Sequence, residues 1–191
     1  TDYVFDGSKA PYLPNDQTNP LNFYGKSKLL GEEVIRKELS HYAILRVPVL
    51  YGKVEYPAES AVITLIQSVL KQVDTQQDHW SARYPTYVND IALALKDFAP
   101  LLKNDSSLST TYHFSGNEEM TKFEICQTMA ELLEVSGDHI SANSATPGGA
   151  PRPQDCHLDD TSLASIISLH KTPFREALAE IIVNMKSKNL I

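Results

Sequence analysis

The feature that most constrains the fold is an almost continuous apolar run, YAILRVPVLYG, at residues 42–52. It is rich in β-branched residues and ends at a glycine, which is typical of a strand buried on both faces of a parallel sheet. A sheet of this kind needs helices on both faces to shield it from water. The run therefore predicts a layered α/β fold with a largely parallel sheet.

The segments around this run supply helices and further strands. Apolar residues recur at helical spacing in residues 24–39, 60–73, 83–102 (after a short extended piece), 121–135 and 174–188. Helix starts are predicted at Ser60, at Thr121 with Glu124 in capping-box register, and at Thr172 followed by Pro173. STTYHFSG (109–116) has the composition of a strand, whereas residues 136–155, rich in Ser, Pro and Gly, are expected to form a loop.

Composition and charge exclude several classes of protein. The formal net charge is -7 and the isoelectric point is near 5.3, and Lys and Arg are not clustered, so neither nucleic acid nor a membrane is expected as a partner. No run of 18 apolar residues and no signal-peptide pattern occurs, and Cys126 and Cys156 are expected to be two buried or half-buried thiols. The histidines show no metal-ligand spacing. We therefore expect a soluble protein of the cytoplasm, with the nucleus as an alternative, and no bound metal.

Tyr24 and Lys28 form the most specific chemical motif. They are four residues apart at the start of a helix, which puts both side chains on one face. An ammonium group near a phenol favours the phenolate, so this pair is suited to proton exchange with a carbonyl and alcohol pair. The alternative is an exposed aromatic residue beside a solvated lysine. The position of the pair between a strand end and a second apolar strand, at βαβ spacing, favours the chemical interpretation.

Longer motifs carry a family resemblance. TDYVFDG (1–7), PLNFYGKSKLLGEE (20–33) and LRVPVLYG (45–52) resemble the extended short-chain dehydrogenase/reductase family, within its branch of dTDP-4-dehydrorhamnose reductases. Three later segments are similar to segments of the methionine adenosyltransferase regulatory beta subunits, which belong to that branch. They are DHWSARYPTYVNDIA (78–92), YHFSGNEEMTKFEI (112–125) and TPFREAL (172–178). The resemblance implies an NAD(P)-binding, Rossmann-like, doubly wound parallel sheet, of which this is the second half, with small substrate-domain elements interleaved.

The resemblance also implies roles for individual residues. Thr1 matches the Ser/Thr that hydrogen-bonds the substrate carbonyl, and Tyr24 matches the proton donor. Lys28 matches the residue that binds the nicotinamide ribose and assists the tyrosine. Leu50 matches a position whose backbone lies at the nicotinamide end of bound NADP. Whether this chain uses the catalytic motif for turnover is open.

A glycine-rich dinucleotide fingerprint is absent from the sequence. Neither G-x-G-x-x-G nor G-x-x-G-x-x-G occurs, although this turn holds the pyrophosphate in dinucleotide-binding folds. TDYVFDG predicts the end of a buried central strand, and about a hundred residues of a doubly wound unit would precede such a strand. We therefore expect a fragment that binds NADP only together with a glycine-rich first half.

The resemblance divides the chain, taken as one incomplete domain over 1–191, into two sets of segments. Residues 1–52 and roughly 86–104 are expected to be Rossmann-side elements. Residues 53–85 and 105–191 are expected to be mainly substrate-side and C-terminal elements.

Two functions follow from the resemblance. As a regulatory beta subunit without catalysis of its own, the chain would bind the catalytic alpha subunit of methionine adenosyltransferase and modulate S-adenosylmethionine synthesis. Alternatively, it would be an NADPH-dependent reductase of a dTDP-4-keto sugar. The D-Q-x-G-x-P-T segment of the reductase branch is here DHWSARYPT (78–86), with His79 in place of Gln, no glycine and two added residues. This departure disfavours the reductase.

Three further residues are substrate-pocket candidates. Trp80, the only tryptophan, is predicted to lie either in the core or at a pocket or interface. His79 is either a polar pocket group or a surface histidine. Arg152 resembles a position near the substrate phosphates, although an arginine in a loop is exposed by default.

Overall fold

The computed structural model describes residues 1–191. In chain order it contains α1 (Phe23–Glu38), β1 (Ile44–Arg46), β2 (Leu50–Tyr51), α2 (Ile66–Leu70), β3 (Thr75–Asp78), β4 (Thr86–Tyr87), α3 (Val88–Asn104), β5 (Thr111–His113), α4 (Lys122–Leu133), β6 (Ile140–Asn143), α5 (Thr161–Ala164) and α6 (Phe174–Ser187). Short 3₁₀ turns lie at Asp2–Val4, Pro57–Glu59, Ile63–Leu65 and Ser106–Leu108. The strand pairs β1–β5, β2–β4 and β3–β6 are all parallel, which confirms the predicted α/β class.

The chain divides into two compact units, each built from three separate segments. The first unit comprises residues 1–48, 89–115 and 148–170, and the second comprises residues 49–88, 116–147 and 171–191. The run at 42–52 is not one strand but two, because Pro48 lacks the N–H that a ladder needs. Consequently β1 belongs to the first unit and β2 to the second. The division into Rossmann-side and substrate-side segments stays a prediction.

In the first unit, β1 is covered on both faces, as predicted. Leu45 and Val47 pack against a cluster formed by Ala94, Phe98, Tyr112, Phe114, Leu163 and Ile167. Arg46, which alternates with them, lies over the Phe5 ring at 5.2 Å. Phe5 belongs to a separate cluster with Val4, Tyr12, Cys156 and Leu158, and Leu29 of α1 packs against that cluster.

The second unit has its own apolar core. It is formed mainly by α2, α4 and α6, through side chains that include Ile66, Val69, Ile125, Met129, Leu178, Ile181 and Met185. Tyr51 of β2 contacts the rings of Tyr87 and Phe174, with centroid distances of 5.5 and 5.0 Å. These contacts fix the β2–β4 ladder on the start of α6.

Most helix predictions are confirmed, and the predicted capping box of Thr121 and Glu124 is present. Both cysteines are free and buried, as predicted, and burial raises the pKa of the Cys126 thiol to about 12. None of the helices combines the length and apolarity needed to span a bilayer.

Four local predictions were wrong. Residues 2–4 form a 3₁₀ turn rather than a strand end, although Val4 and Phe5 are fully buried. The helix predicted over 60–73 begins as a 3₁₀ turn and ends at Leu70. The expected loop at 136–155 contains β6. Finally, α6 has Pro173 at its N-cap, and the Phe174 N–H donates to the Glu118 carboxylate at 2.6 Å, so Thr172 does not cap it.

Candidate functional site

The start of α1, which carries the predicted Tyr24–Lys28 pair, is held by Asn22. The Asn22 side-chain oxygen accepts a hydrogen bond from the Gly25 N–H at 2.9 Å, which satisfies an N–H that has no partner within the helix. Its amide nitrogen donates to the carbonyl oxygen of Pro151 at 2.9 Å. Asn22 therefore links the helix start to the loop that carries Arg152, whose side chain is exposed.

The structure brings Tyr24 and Lys28 together. Lys28 Nζ lies 5.6 Å from the centre of the Tyr24 ring, within the range of a cation–π contact. The Tyr24 ring also meets Tyr3 edge-on, with centroids 6.0 Å apart and planes at 82°. Tyr24 is 50% exposed. Its hydroxyl and the Lys28 ammonium have no hydrogen bond or ion pair within the chain, so both are available to a ligand.

Thr1 caps the 3₁₀ turn at Asp2–Val4, whose Tyr3 ring meets Tyr24, and its hydroxyl already makes two hydrogen bonds. It donates to Asp2 Oδ1 at 3.0 Å and accepts from the Tyr3 N–H at 3.3 Å. Asp2 is itself buried. In this arrangement the Thr1 proton is directed to a carboxylate of the same turn.

Gly25 permits the close approach between α1 and this turn. A Cβ at position 25 would overlap the carbonyl oxygen of Tyr3 and would lie 2.9 Å from the Cβ of Pro20. No side chain larger than hydrogen fits there without moving the helix start. The position of Tyr24 beside Tyr3 therefore depends on a glycine at position 25.

Two turns further along α1 lies a buried charge cluster that sequence reasoning missed. Arg46 donates to Glu32 through Nε at 2.9 Å and through Nη2 at 2.7 Å, and these side chains are only 2% and 8% exposed. Arg36 also donates to Glu32, at 2.7 Å. Burial alone would raise the pKa of Glu32, but the hydrogen bonds and charge of Arg46, followed by those of Arg36, hold it below its ordinary value.

His113 completes this cluster. The ring is fully buried, with Nδ1 3.1 Å from the carbonyl oxygen of Tyr12 and Nε2 3.4 Å from Arg46 Nη1. Burial, and then the charge of Arg46, lower the pKa of His113 to about 4. The signal in the sequence was Arg46 itself, because an arginine inside a run buried on both faces needs a carboxylate partner.

The other predicted site residues, Leu50, His79 and Trp80, lie in the second unit. Leu50 forms β2 opposite Thr86 of β4. Trp80 is half-buried and does not belong to the apolar core of the unit. The backbone N–H of Trp80 donates to Asp78 Oδ1 at 2.9 Å. Burial would raise the pKa of Asp78. The hydrogen bonds that its carboxylate accepts from the backbone N–H groups of Trp80 and Ser81 outweigh this effect and lower the pKa.

The imidazole of His79 is oriented by the capping box of α4. His79 Nδ1 lies 2.9 Å from Thr121 Oγ1, and that hydroxyl lies 2.9 Å from Glu124 Oε2. A carboxylate can only accept, so the single hydroxyl proton points to Glu124, and Nδ1 must be the donor to Thr121. This assigns the Nδ1–H tautomer, in which Nε2 is a free hydrogen-bond acceptor.

No group of three or more His, Cys, Asp or Glu side chains is placed to hold a metal ion.

Parallel strand pairs and helices define a Rossmann-like α/β protein, and its tyrosine and lysine meet on the first turns of the helix before β1, as the family resemblance implies. The chain belongs to the RmlD substrate binding domain family, whose model matches residues 1–187. The fold is similar to that of a dTDP-4-dehydrorhamnose reductase from Bacillus anthracis solved in complex with NADP. The TM-score is 0.77 at 24% identity, over 96% of this chain and 63% of that one.

Two curated relatives differ in their similarity to the chain. A methionine adenosyltransferase 2 subunit beta from Bos taurus is 40% identical over 182 residues, which is 94% of this chain and 54% of that protein. A dTDP-4-dehydrorhamnose reductase from Sinorhizobium fredii is 28% identical over 161 residues, which is 80% of this chain and 52% of that protein. The chain thus spans about half the length of each of these relatives.

Proposed function

We propose that the chain acts within a regulatory beta subunit of methionine adenosyltransferase, where it binds the catalytic alpha subunit and modulates S-adenosylmethionine synthesis. The observation that carries this proposal is the 40% identity over 94% of the chain with a subunit beta, against 28% over 80% for a reductase. The segment DHWSARYPT supports it, because His79 and the two added residues depart from the reductase pattern. The proposed place of action is the cytoplasm, with the nucleus as an alternative.

NADP is the proposed cofactor, and the free polar atoms of the first unit fit it. The Tyr24 hydroxyl and the Lys28 ammonium are unpartnered within the chain, which suits hydrogen bonding to the hydroxyls of a ribose. Leu50 is proposed to contribute its backbone at the nicotinamide end. In the reductase alternative, bound NADPH would supply a hydride. Because the sequence has no glycine fingerprint, we expect strong binding only in the presence of a glycine-rich pyrophosphate-binding turn.

In this role the chain is proposed to have no catalysis of its own. The Thr1 hydroxyl donates to Asp2, so it has no proton left for a substrate carbonyl unless the turn rearranges. An NADPH-dependent reductase of dTDP-4-keto sugars stays the second candidate, because Tyr24 and Lys28 keep the arrangement of a proton donor with an adjacent cation. In either case His79 and Trp80 of the second unit, and Arg152 of the first, each remain a substrate-pocket candidate.

Two activity assays with one substitution separate these candidates. We expect the chain to change the kinetics of the methionine adenosyltransferase catalytic subunit and to leave a dTDP-4-keto sugar unreduced with NADPH. The variant Tyr24→Phe should leave the first effect largely intact, because the regulatory role does not use the phenol proton. Reduction of the sugar that is lost in Tyr24→Phe, without any effect on the synthetase, would instead establish the reductase.

A further inference from the structure

Apolar packing does little to fix the position of α1. Only Gly25 and Glu32 are buried among its residues. Leu29 packs partly against the Phe5 cluster, whereas Phe23, Leu30 and Val34 are 84%, 60% and 59% exposed. The two buried contacts of the helix are therefore a glycine at its start and a carboxylate two turns later.

The contact at Glu32 has a defined orientation. The Arg46 guanidinium donates to both carboxylate oxygens of Glu32, at 2.9 and 2.7 Å. Such a bidentate ion pair constrains the angle between the two side chains as well as the distance between them. The same guanidinium donates to the carbonyl oxygen of Pro14 at 3.1 Å and lies 5.2 Å from the Phe5 ring. Arg46 thus joins α1 and β1 to the N-terminal segment that also carries Tyr3.

Stability alone does not explain this pair. Burying two charges costs about as much free energy as their attraction returns, and apolar replacements of similar volume are often neutral or stabilising. The best-attested use of such buried groups is to fix one register among several. Because α1 is otherwise weakly packed, it needs a contact of this kind to fix its register.

The register of α1 matters because Tyr24 and Lys28 lie on the same side of the helix as Glu32. Tyr24, Lys28 and Glu32 are spaced by four residues and lie on one side of α1. A slip of one residue would shift the helix by about 1.5 Å and turn it by about 100°. Either change would move Tyr24 away from Tyr3 and would re-aim Lys28.

We propose that Glu32 and Arg46 are positioning residues that hold α1 in the register in which Tyr24 and Lys28 face their ligand. The ligand in question is the nicotinamide ribose, so this part rests on the proposed function. The positioning itself is a property of the chain and is measurable without a cofactor.

The test compares single and paired removal of the charges in the full chain. The readouts are the urea midpoint of unfolding and the nuclear Overhauser contacts between the Tyr3 and Tyr24 rings. Glu32→Met should lower the midpoint most, because it leaves the buried Arg46 guanidinium without a carboxylate. Arg46→Met should lower it less, because Arg36 still pairs with Glu32. The double variant should recover the midpoint yet lose at least half of the Tyr3–Tyr24 contact intensity. Full recovery of both readouts in the double variant would overturn the proposal.

Two controls keep the result interpretable. Arg46→Lys retains the positive charge but not the bidentate geometry, so it should also weaken the Tyr3–Tyr24 contacts. Unchanged contacts in this variant would count against the positioning role. Lys53→Met and Glu180→Met together remove an exposed ion pair of the second unit. This double substitution should change neither the urea midpoint nor the Tyr3–Tyr24 contacts. NADPH titration of the same proteins, made in the presence of a glycine-rich first half, tests the cofactor separately, and we expect at least tenfold weaker binding in the double variant. If the wild-type chain binds no NADPH even then, the proposed cofactor fails while the ring contacts still decide the positioning.

Discussion

At the scale of single residues, His113 gives the first unit a defined response to pH. Its ring is fully buried beside Arg46, and its pKa falls from an ordinary 6.5 to about 4 in the folded chain. As pH falls below 6.5, His113 binds a proton in the unfolded chain but stays neutral in the folded chain, which favours unfolding. The contribution of His113 to the free energy of unfolding is therefore complete above pH 6.5 and is lost progressively down to about pH 4.

We predict that the free energy of unfolding falls by about 3 kcal/mol between pH 6.5 and pH 4 through this residue, because its pKa is 6.5 in the unfolded chain and about 4 in the folded chain. Urea denaturation at a series of pH values measures it. His113→Gln should flatten the curve between pH 6.5 and 4. His41→Gln, which changes an exposed histidine, serves as the control and should leave the slope as it is. An unchanged slope in His113→Gln would refute the prediction.

His79 makes a second prediction at this scale. Long-range proton–nitrogen NMR should show the Nδ1–H tautomer in the neutral ring, because Thr121 Oγ1 is an acceptor with its proton committed to Glu124. In Thr121→Val the acceptor is gone, and the Nε2–H tautomer should become the major form. Finding the Nε2–H tautomer in the wild-type chain would contradict this, because the Thr121 hydroxyl would then donate to His79 Nδ1 instead of to Glu124.

At the scale of elements, two glycines of α1 make a matched pair. Gly25→Ala places a methyl group against the Tyr3 carbonyl oxygen and Pro20, and we expect it to lower the free energy of unfolding by about 1–3 kcal/mol. Gly31→Ala meets nothing within 4 Å and should raise it by about 0.5–1 kcal/mol, because alanine loses less backbone entropy in a helix. Urea titration followed by circular dichroism measures both variants.

The signs of these two effects are the critical result. If Gly25→Ala were as stable as Gly31→Ala, then α1 would not approach the 3₁₀ turn as closely as the structure shows. If both destabilised equally, the difference in steric environment between the two positions would be contradicted.

Sequence reasoning recovered the elements whose signals are local. The apolar run around Ile44 and the capping box at Thr121 depend on neighbouring residues, and both were predicted. It missed β6, because Ile140 is the only buried residue of that strand and its ladder partner, β3, is far away in the chain. It assigned the α6 cap to Thr172, because Glu118, which binds the first N–H, is distant in sequence.

The same distinction applies to the site. The spacing of Tyr24 and Lys28 predicts a shared helix face, and the structure shows their contact. The pairing of Glu32 with Arg46 requires the packing of a helix against a strand, which the sequence reasoning did not derive. The role of each of these residues in ligand binding stays a prediction.

At the scale of the whole molecule, two units with separate apolar cores divide the candidate residues between them. The first carries Thr1, Tyr24, Lys28 and Arg152, and the second carries Leu50, His79 and Trp80. Family membership establishes the fold, whereas the choice between regulator and reductase depends on what the chain binds.

The decisive measurement is therefore a calorimetric titration of the chain into the catalytic subunit of methionine adenosyltransferase, with and without NADP, supported by co-elution. The regulatory proposal predicts saturable heat with a defined stoichiometry and a complex that co-elutes. Absence of both heat and co-elution at micromolar concentrations, with and without NADP, would contradict it.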